Sequence, residues 1–157
     1  MRFVFALKFN EKYIPETKEF WRLIISGPEL LKPSSAGVTE PLKKIAEINP
    51  DNFDKEIIWK NGSKCLGYFQ PQGFRGKATL SLNLQYNQKD HNKILKSVYE
   101  WLHSNFKYSL LYGVTPDEEL YKKNVELQQI ASCGAIPPDE SILINNSHLF
   151  EVFEENA

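Results

Sequence analysis

Ala78-Thr79-Leu80-Ser81-Leu82-Asn83-Leu84-Gln85-Tyr86 alternates apolar and polar side chains from end to end. Successive side chains of a strand point to opposite faces, so Ala78, Leu80, Leu82, Leu84 and Tyr86 share one face and Thr79, Ser81, Asn83 and Gln85 the other. The first face needs a core to cover it; the second does not. That is the pattern of an antiparallel sheet with one exposed or weakly covered side. The opening residues alternate in the same way, with Phe3, Phe5, Leu7 and Phe9 pointing together, and read as another strand with one strongly apolar face.

Upstream of residue 78, the Gly- and Pro-rich stretch Gln70 to Gly76 reads as a loop, and before it stands a hairpin. Glu56-Ile57-Ile58-Trp59-Lys60 runs into Asn61-Gly62, and Ser63 to Phe69 leads away. Asn-Gly supplies the positive φ values of a two-residue type I′ turn. Nearer the N-terminus, Glu16 to Ile25 reads as a helix that buries Phe20, Leu23 and Ile24 and stops at Gly27-Pro28. Thr39 can cap a second short helix with Pro41 in its first turn, closed by Asn49-Pro50.

Downstream, Asp90 can cap a helix running to about Asn105, with Ile94, Leu95, Val98 and Leu102 as its core stripe. Lys107 to Val114 reads as a strand. Thr115-Pro116-Asp117-Glu118 forms a capping box that opens a helix to Ser132, with Leu120, Val125 or Leu127, and Ile130 inward. Ser141 to Asn145 reads as a short strand and the last dozen residues as an acidic, aromatic tail. The order β-α-α-β-β-β-α-β-α-β, with its central meander, predicts an α+β fold: a mainly antiparallel (mixed) sheet with helices packed on one face.

Composition sets the outer bounds. The chain has 157 residues, 41 % apolar and 25 % charged, and reads as a single globular domain over 1–157 with no linker or repeat. A chain of this size needs neither a disulfide nor a structural metal to fold. Cys65 and Cys133 lie far apart without paired spacing, which suits a reducing compartment. No apolar run approaches the roughly 20 residues that span a bilayer. The apolar opening is interrupted at Lys8 and lacks a small-residue cleavage site, so it reads as a strand and not as a signal peptide. The expectation is a cytoplasmic protein without a membrane partner.

The chemistry-bearing residues form no recognisable constellation. His91, His103 and His148 are the only histidines, and none has Cys or carboxylate at ligand spacing, so no metal or cofactor is expected. Gly76-Lys77 resembles the end of a phosphate-binding loop, but Pro71 stands where its first glycine belongs and Ala78 where a magnesium-holding hydroxyl belongs. Cys133 falls at the negative end of a predicted helix, which disfavours a thiolate. Arginine occurs only at Arg2, Arg22 and Arg75, and the net charge is −1, which argues against nucleic acid as a partner.

Charge is unevenly laid out. Residues 61–115 hold seven basic and two acidic side chains, whereas residues 116–157 hold two basic and nine acidic, a local balance of −7. Such asymmetry reflects either segments that neutralise each other in the fold or an acidic surface matched to a basic partner. Aromatics set among turn residues at Tyr68, Phe69 and Phe74, and among acids at Phe150 and Phe153, have the composition of interaction hot spots or of lids over a core.

The opening strand Met1-Arg2-Phe3-Val4-Phe5-Ala6-Leu7, the Trp59-Lys60-Asn61-Gly62 hairpin and the stretch Gly134-Ala135-Ile136-Pro137-Pro138 belong to a chain that resembles, in general style, the immunity proteins of bacterial polymorphic toxin systems. The resemblance implies a protein that binds a cognate toxin domain and blocks it, with no chemistry of its own. The expected partner is a protein with a basic surface, met by Asp117, Glu118, Glu119, Asp139, Glu140, Glu151, Glu154 and Glu155. The alternative is a small-molecule-binding protein or enzyme that uses the polar strand face from Thr79 to Gln85.

Overall fold

Phe3, Phe5, Leu7 and Phe9 are all buried on one face of the first strand, β1 (Arg2–Phe9), in a computed structural model that describes residues 1–38, 41–52, 55–74, 77–116, 124–137 and 139–153. The further strands are β2 (Ser35–Gly37), β3 (Lys43–Lys44), β4 (Ile57–Asn61), β5 (Cys65–Phe74), β6 (Lys77–Gln85), β7 (Tyr108–Val114) and β8 (Phe150–Phe153). Among the described residues four α-helices accompany them: α1 (Thr17–Ile25), α2 (His91–Asn105), α3 (Val125–Cys133) and α4 (Ser141–Asn145). The strands make one sheet in the order β3-β2-β4-β5-β6-β1-β7-β8, antiparallel at every pairing. The fold is therefore α+β, as the strand and helix pattern requires.

β6 alternates between buried and half-buried along its length, with Ala78, Leu80, Leu82 and Leu84 inward. Together with β1, Trp59 and Phe69 it floors a core roofed by Phe20, Trp21 and Ile24 of α1 and Val98 and Leu102 of α2. Aromatic stacking organises this core: the Phe20 and Phe69 rings lie parallel with centroids 4.1 Å apart, and Phe20 meets Trp59 at 5.5 Å. The buried Trp59 indole N–H donates to the Leu31 carbonyl at 2.9 Å, which satisfies its one polar group.

The helices do not all share that face. α1 and α2 cover it as expected, but α3 and α4 pack on the opposite side, where Leu127, Ile130, Ala131 and Leu143 meet Val4, Ala6, Leu110, Tyr112, Val114 and Phe150. The reason lies in β1 and β7, which are apolar on both faces. A strand buried on both sides needs two layers of cover.

Several segments depart from their sequence reading. No helix forms in the described part of the segment after Thr39: residues 41–52 hold β3 and two short 3₁₀ turns, and 39–40 lie outside the described residues. Ile45 and Ile48 still turn toward the core, because a three-residue spacing suits a 3₁₀ turn as well as an α-helix. Of the loop expected over Gln70 to Gly76, residues 70–74 are strand, with a register shift between Gln70 and Phe74 that takes up Pro71, and 75–76 lie outside the described residues. The hairpin closes through Asn61↔Cys65, leaving three residues in its loop, with Gly62 at φ 51°. Ser141–Asn145 is helix α4 and not a strand, since a helical turn carries Leu143 down onto the second face. Residues 150–153, expected as tail, form the edge strand β8. The capping box reaches residues 117–118, which with Leu120 lie outside the described residues; α3 is capped by Asn124, whose Oδ1 accepts from the amides of Glu126 and Leu127.

Gly67 of β5 lies directly opposite Trp59 of β4, and a Cβ there would run into the indole ring. Gly67→Ala should therefore destabilise the fold by about 1–3 kcal/mol, the cost of overpacking a filled core. Urea unfolding followed by tryptophan fluorescence measures this. An unchanged midpoint would mean that the Trp59 side chain is free to shift.

Candidate functional site

The acidic last third is laid onto the sheet by three local devices. α3 ends at Gly134, whose left-handed backbone (φ 68°) turns the chain back across the sheet. Tyr112, buried beneath it, donates its hydroxyl to the carbonyls of Ala135 at 2.6 Å and Ile130 at 3.3 Å, which fixes the segment leaving the helix. Asp139 Oδ1 then accepts from the Ser141 amide at 2.9 Å and starts α4; hydrogen bonding from Ser141 holds its carboxyl below the usual carboxylate range.

Of the eight acids expected to meet a partner, Asp139, Glu140 and Glu151 are described; Asp117, Glu118, Glu119, Glu154 and Glu155 lie outside the described residues. Asp139 and Glu140 stand together at the start of α4, and Glu140 forms an ion pair with Lys8 of β1 at 3.3 Å. Glu151 is exposed on β8, paired in register with Gly113. A Cβ on Gly113 would touch Phe3, so Glu151 leans toward the α2 side of the sheet, away from α4. Burial, and after it the Glu151 carboxylate, raises the Tyr86 phenol there to about 12. The three described acids thus flank the β7–β8 margin of the sheet from both sides and do not share one face.

Sequence reading missed the apolar side chains of this region. Val125 is 72 %, Ile144 68 % and Val152 46 % exposed, and each lies within the acidic third. The one signal available was an aliphatic residue set beside acids in Glu151-Val152-Phe153 and Val125-Glu126.

The polar strand face is not an open floor. Ser132, at the end of α3, accepts through its carbonyl from Asn83 Nδ2 at 3.3 Å, and a Cβ on Gly134 would lie 2.7 Å from that of Ser81. Thr79 Oγ1 reaches Gln70 Oε1 at 3.4 Å, and only Gln85 of the four is exposed. Asn83 Oδ1 is buried without a hydrogen-bond partner among the described residues, a cost of about 1–3 kcal/mol for an unsatisfied acceptor.

The histidines are spread apart. His91 Nδ1 shares a 2.6 Å hydrogen bond with the Tyr86 hydroxyl, and His103 Nδ1 one of 3.1 Å with Tyr108; His148 is exposed. Among the described residues no three His, Cys, Asp or Glu side chains are grouped closely enough to hold a metal ion. No helix of the described residues is long and apolar enough to cross a membrane. Both cysteines are free: Cys133 is exposed at the last position of α3, and Cys65 is buried, which pushes its thiol up to about 12. No protein-family model, curated protein or solved structure matches the chain.

These groups set the alkaline limit of the fold. Cys65 is raised from 9.0, and Tyr86 and Tyr108 from 10.0, all to about 12, so the folded state favours the protonated forms. Their stabilisation is complete below about pH 9 and is lost as pH rises toward 12. Chemical denaturation at stepped pH should show stability falling through that window. In the native protein at pH 8, a thiol reagent should modify Cys133 and spare Cys65 until the chain unfolds. Equal reaction of both would place Cys65 outside the core.

Proposed function

We propose that this chain is a non-enzymatic binding protein that neutralises a protein partner, in the manner of the immunity proteins that block bacterial toxins. The observation that carries the reading is the mixture of exposed aliphatic and acidic side chains in the last third: Val125, Ile144 and Val152 together with Glu126, Asp139 and Glu140, and Glu151 on the opposite side of the β8 edge. Protein interfaces combine an apolar centre with a polar rim, and matched potentials speed encounter and fix register. A balance of −7 over residues 116–157 calls for a partner with a basic surface. Elements α3, α4 and β8 present these residues from a packed sheet, so little ordering is needed on binding. A reducing cytoplasm suits the two free thiols.

A tagged chain at low expression in its native host, purified and analysed by mass spectrometry, should carry one stoichiometric protein partner. Replacing Asp139, Glu151, Glu154 and Glu155 by Lys should then slow association by about ten- to a hundredfold at low salt and flatten its salt dependence. Association rates that do not change would remove the electrostatic part of the reading. Elution of this chain alone would shift weight to a small-molecule site at the polar strand face, where Asn83 Oδ1 is the unsatisfied group. In that case a metabolite screen by thermal shift should yield a stabilising ligand whose effect is lost in Asn83→Leu.

A further inference from the structure

The two margins of the sheet differ in a way that bears on how a partner would dock. One margin is β3, only two residues long and made of Lys43 and Lys44, a short lysine-bearing edge of the kind that discourages strand addition. The other is β8, which pairs with β7 through four residues and has no further strand beyond it among the described residues. An edge strand carries backbone N–H and C=O groups that only another extended chain can pair in a ladder. Along β8, Glu151 is exposed on the α2 side and Val152, 46 % exposed, on the other.

We propose that the edge of β8 at Glu151–Phe153 takes an extended segment of the partner protein, basic and apolar at alternate positions, as an added strand. The inference rests on the reading of this chain as a protein-binding module and specifies how it would dock. Charge selects the occupant. Glu151 stands on the edge, Glu154 and Glu155 follow it in the sequence, and residues 116–157 carry a balance of −7. A second copy adding its own β8 would bring two acidic segments together, and like-charge juxtaposition opposes that pairing. A nucleic acid or an anionic membrane carries the wrong sign and offers no strand ladder. A partner strand with Lys or Arg across from Glu151 and an aliphatic residue across from Val152 meets both faces of the edge at once.

Two capped peptides serve as probes, one alternating Lys and Val and one alternating Glu and Val, titrated onto the isotope-labelled full chain. Amide shifts and hydrogen exchange are read by nuclear magnetic resonance. The Lys-Val peptide should shift the Glu151–Phe153 amides saturably and slow exchange at the edge by at least about tenfold, whereas the Glu-Val peptide should not. Glu151→Lys should weaken the peptide by about tenfold or more, and Glu151→Gln by less, with the melting temperature checked for each. No response to the Lys-Val peptide, or an equal response to both, overturns the proposal. Protection of β8 that grows with protein concentration alone also overturns it, in favour of a second copy. A co-purified partner that leaves β8 exchange unchanged ends this docking mode while leaving the binding-protein reading intact. Peptide docking at β8 in a chain that retains no cellular partner supports the edge site and counts against that reading.

Discussion

A strand that is apolar on both faces cannot be left with one covered side, and β1 imposes that constraint on the whole molecule. Phe3, Phe5, Leu7 and Phe9 demand a core on one side, while Val4 and Ala6 demand one on the other. β6 and β7 pair with it to left and right, and β7 shares its two-sided character. Cover on the first face comes from α1 and α2 and on the second from α3 and α4. The division of the chain into its two helical layers follows from this central requirement.

The two layers differ in kind. The first face is closed by stacked aromatics, with Phe20 against Phe69 and Trp59 lying over the bare backbone of Gly67, so its geometry tolerates little change. The described contacts of the second layer to β1 and β7 are aliphatic apart from Tyr112, which Phe150 meets edge to face, and polar ties add to them: the Tyr112 hydroxyl on the Ala135 carbonyl, Asn83 on the Ser132 carbonyl and the Lys8–Glu140 ion pair. An exposed ion pair adds at most about 1 kcal/mol, so the apolar contacts of Leu127, Ile130 and Leu143 hold this layer in place. The acidic, partly apolar surface proposed for partner binding thus rides on the less constrained half of a rigid sheet.

Legibility in the sequence followed the strength of periodicity. β1, β6, α1 and α2 match their patterns closely because each has a repeat long enough to separate a strand period from a helical one. Short apolar runs misled: Ser141 to Asn145 has the pattern of a strand, yet one helical turn prevails there because it buries Leu143. Pro41 and the Asn49-Pro50 stop mark out a helix on paper, yet 43–44 are claimed by pairing with β2. At the candidate site, the acids were visible as a charge count. Their separation across the β8 margin was not, because it depends on which side of the sheet each residue faces.

What the sequence determined by itself is the class of fold, the two-faced central strands and the excess of acid after residue 115, since periodicity and charge are local properties of the chain. What only the tertiary structure decided is where that acid goes. Burial on both sides of β1 pulled α3 and α4 across the sheet from α1 and α2, and the hydrogen bonds of β7 drew residues 150–153 into an edge strand. Pairing partners and layer assignment are set by contacts between residues far apart in sequence, and no local pattern encodes them.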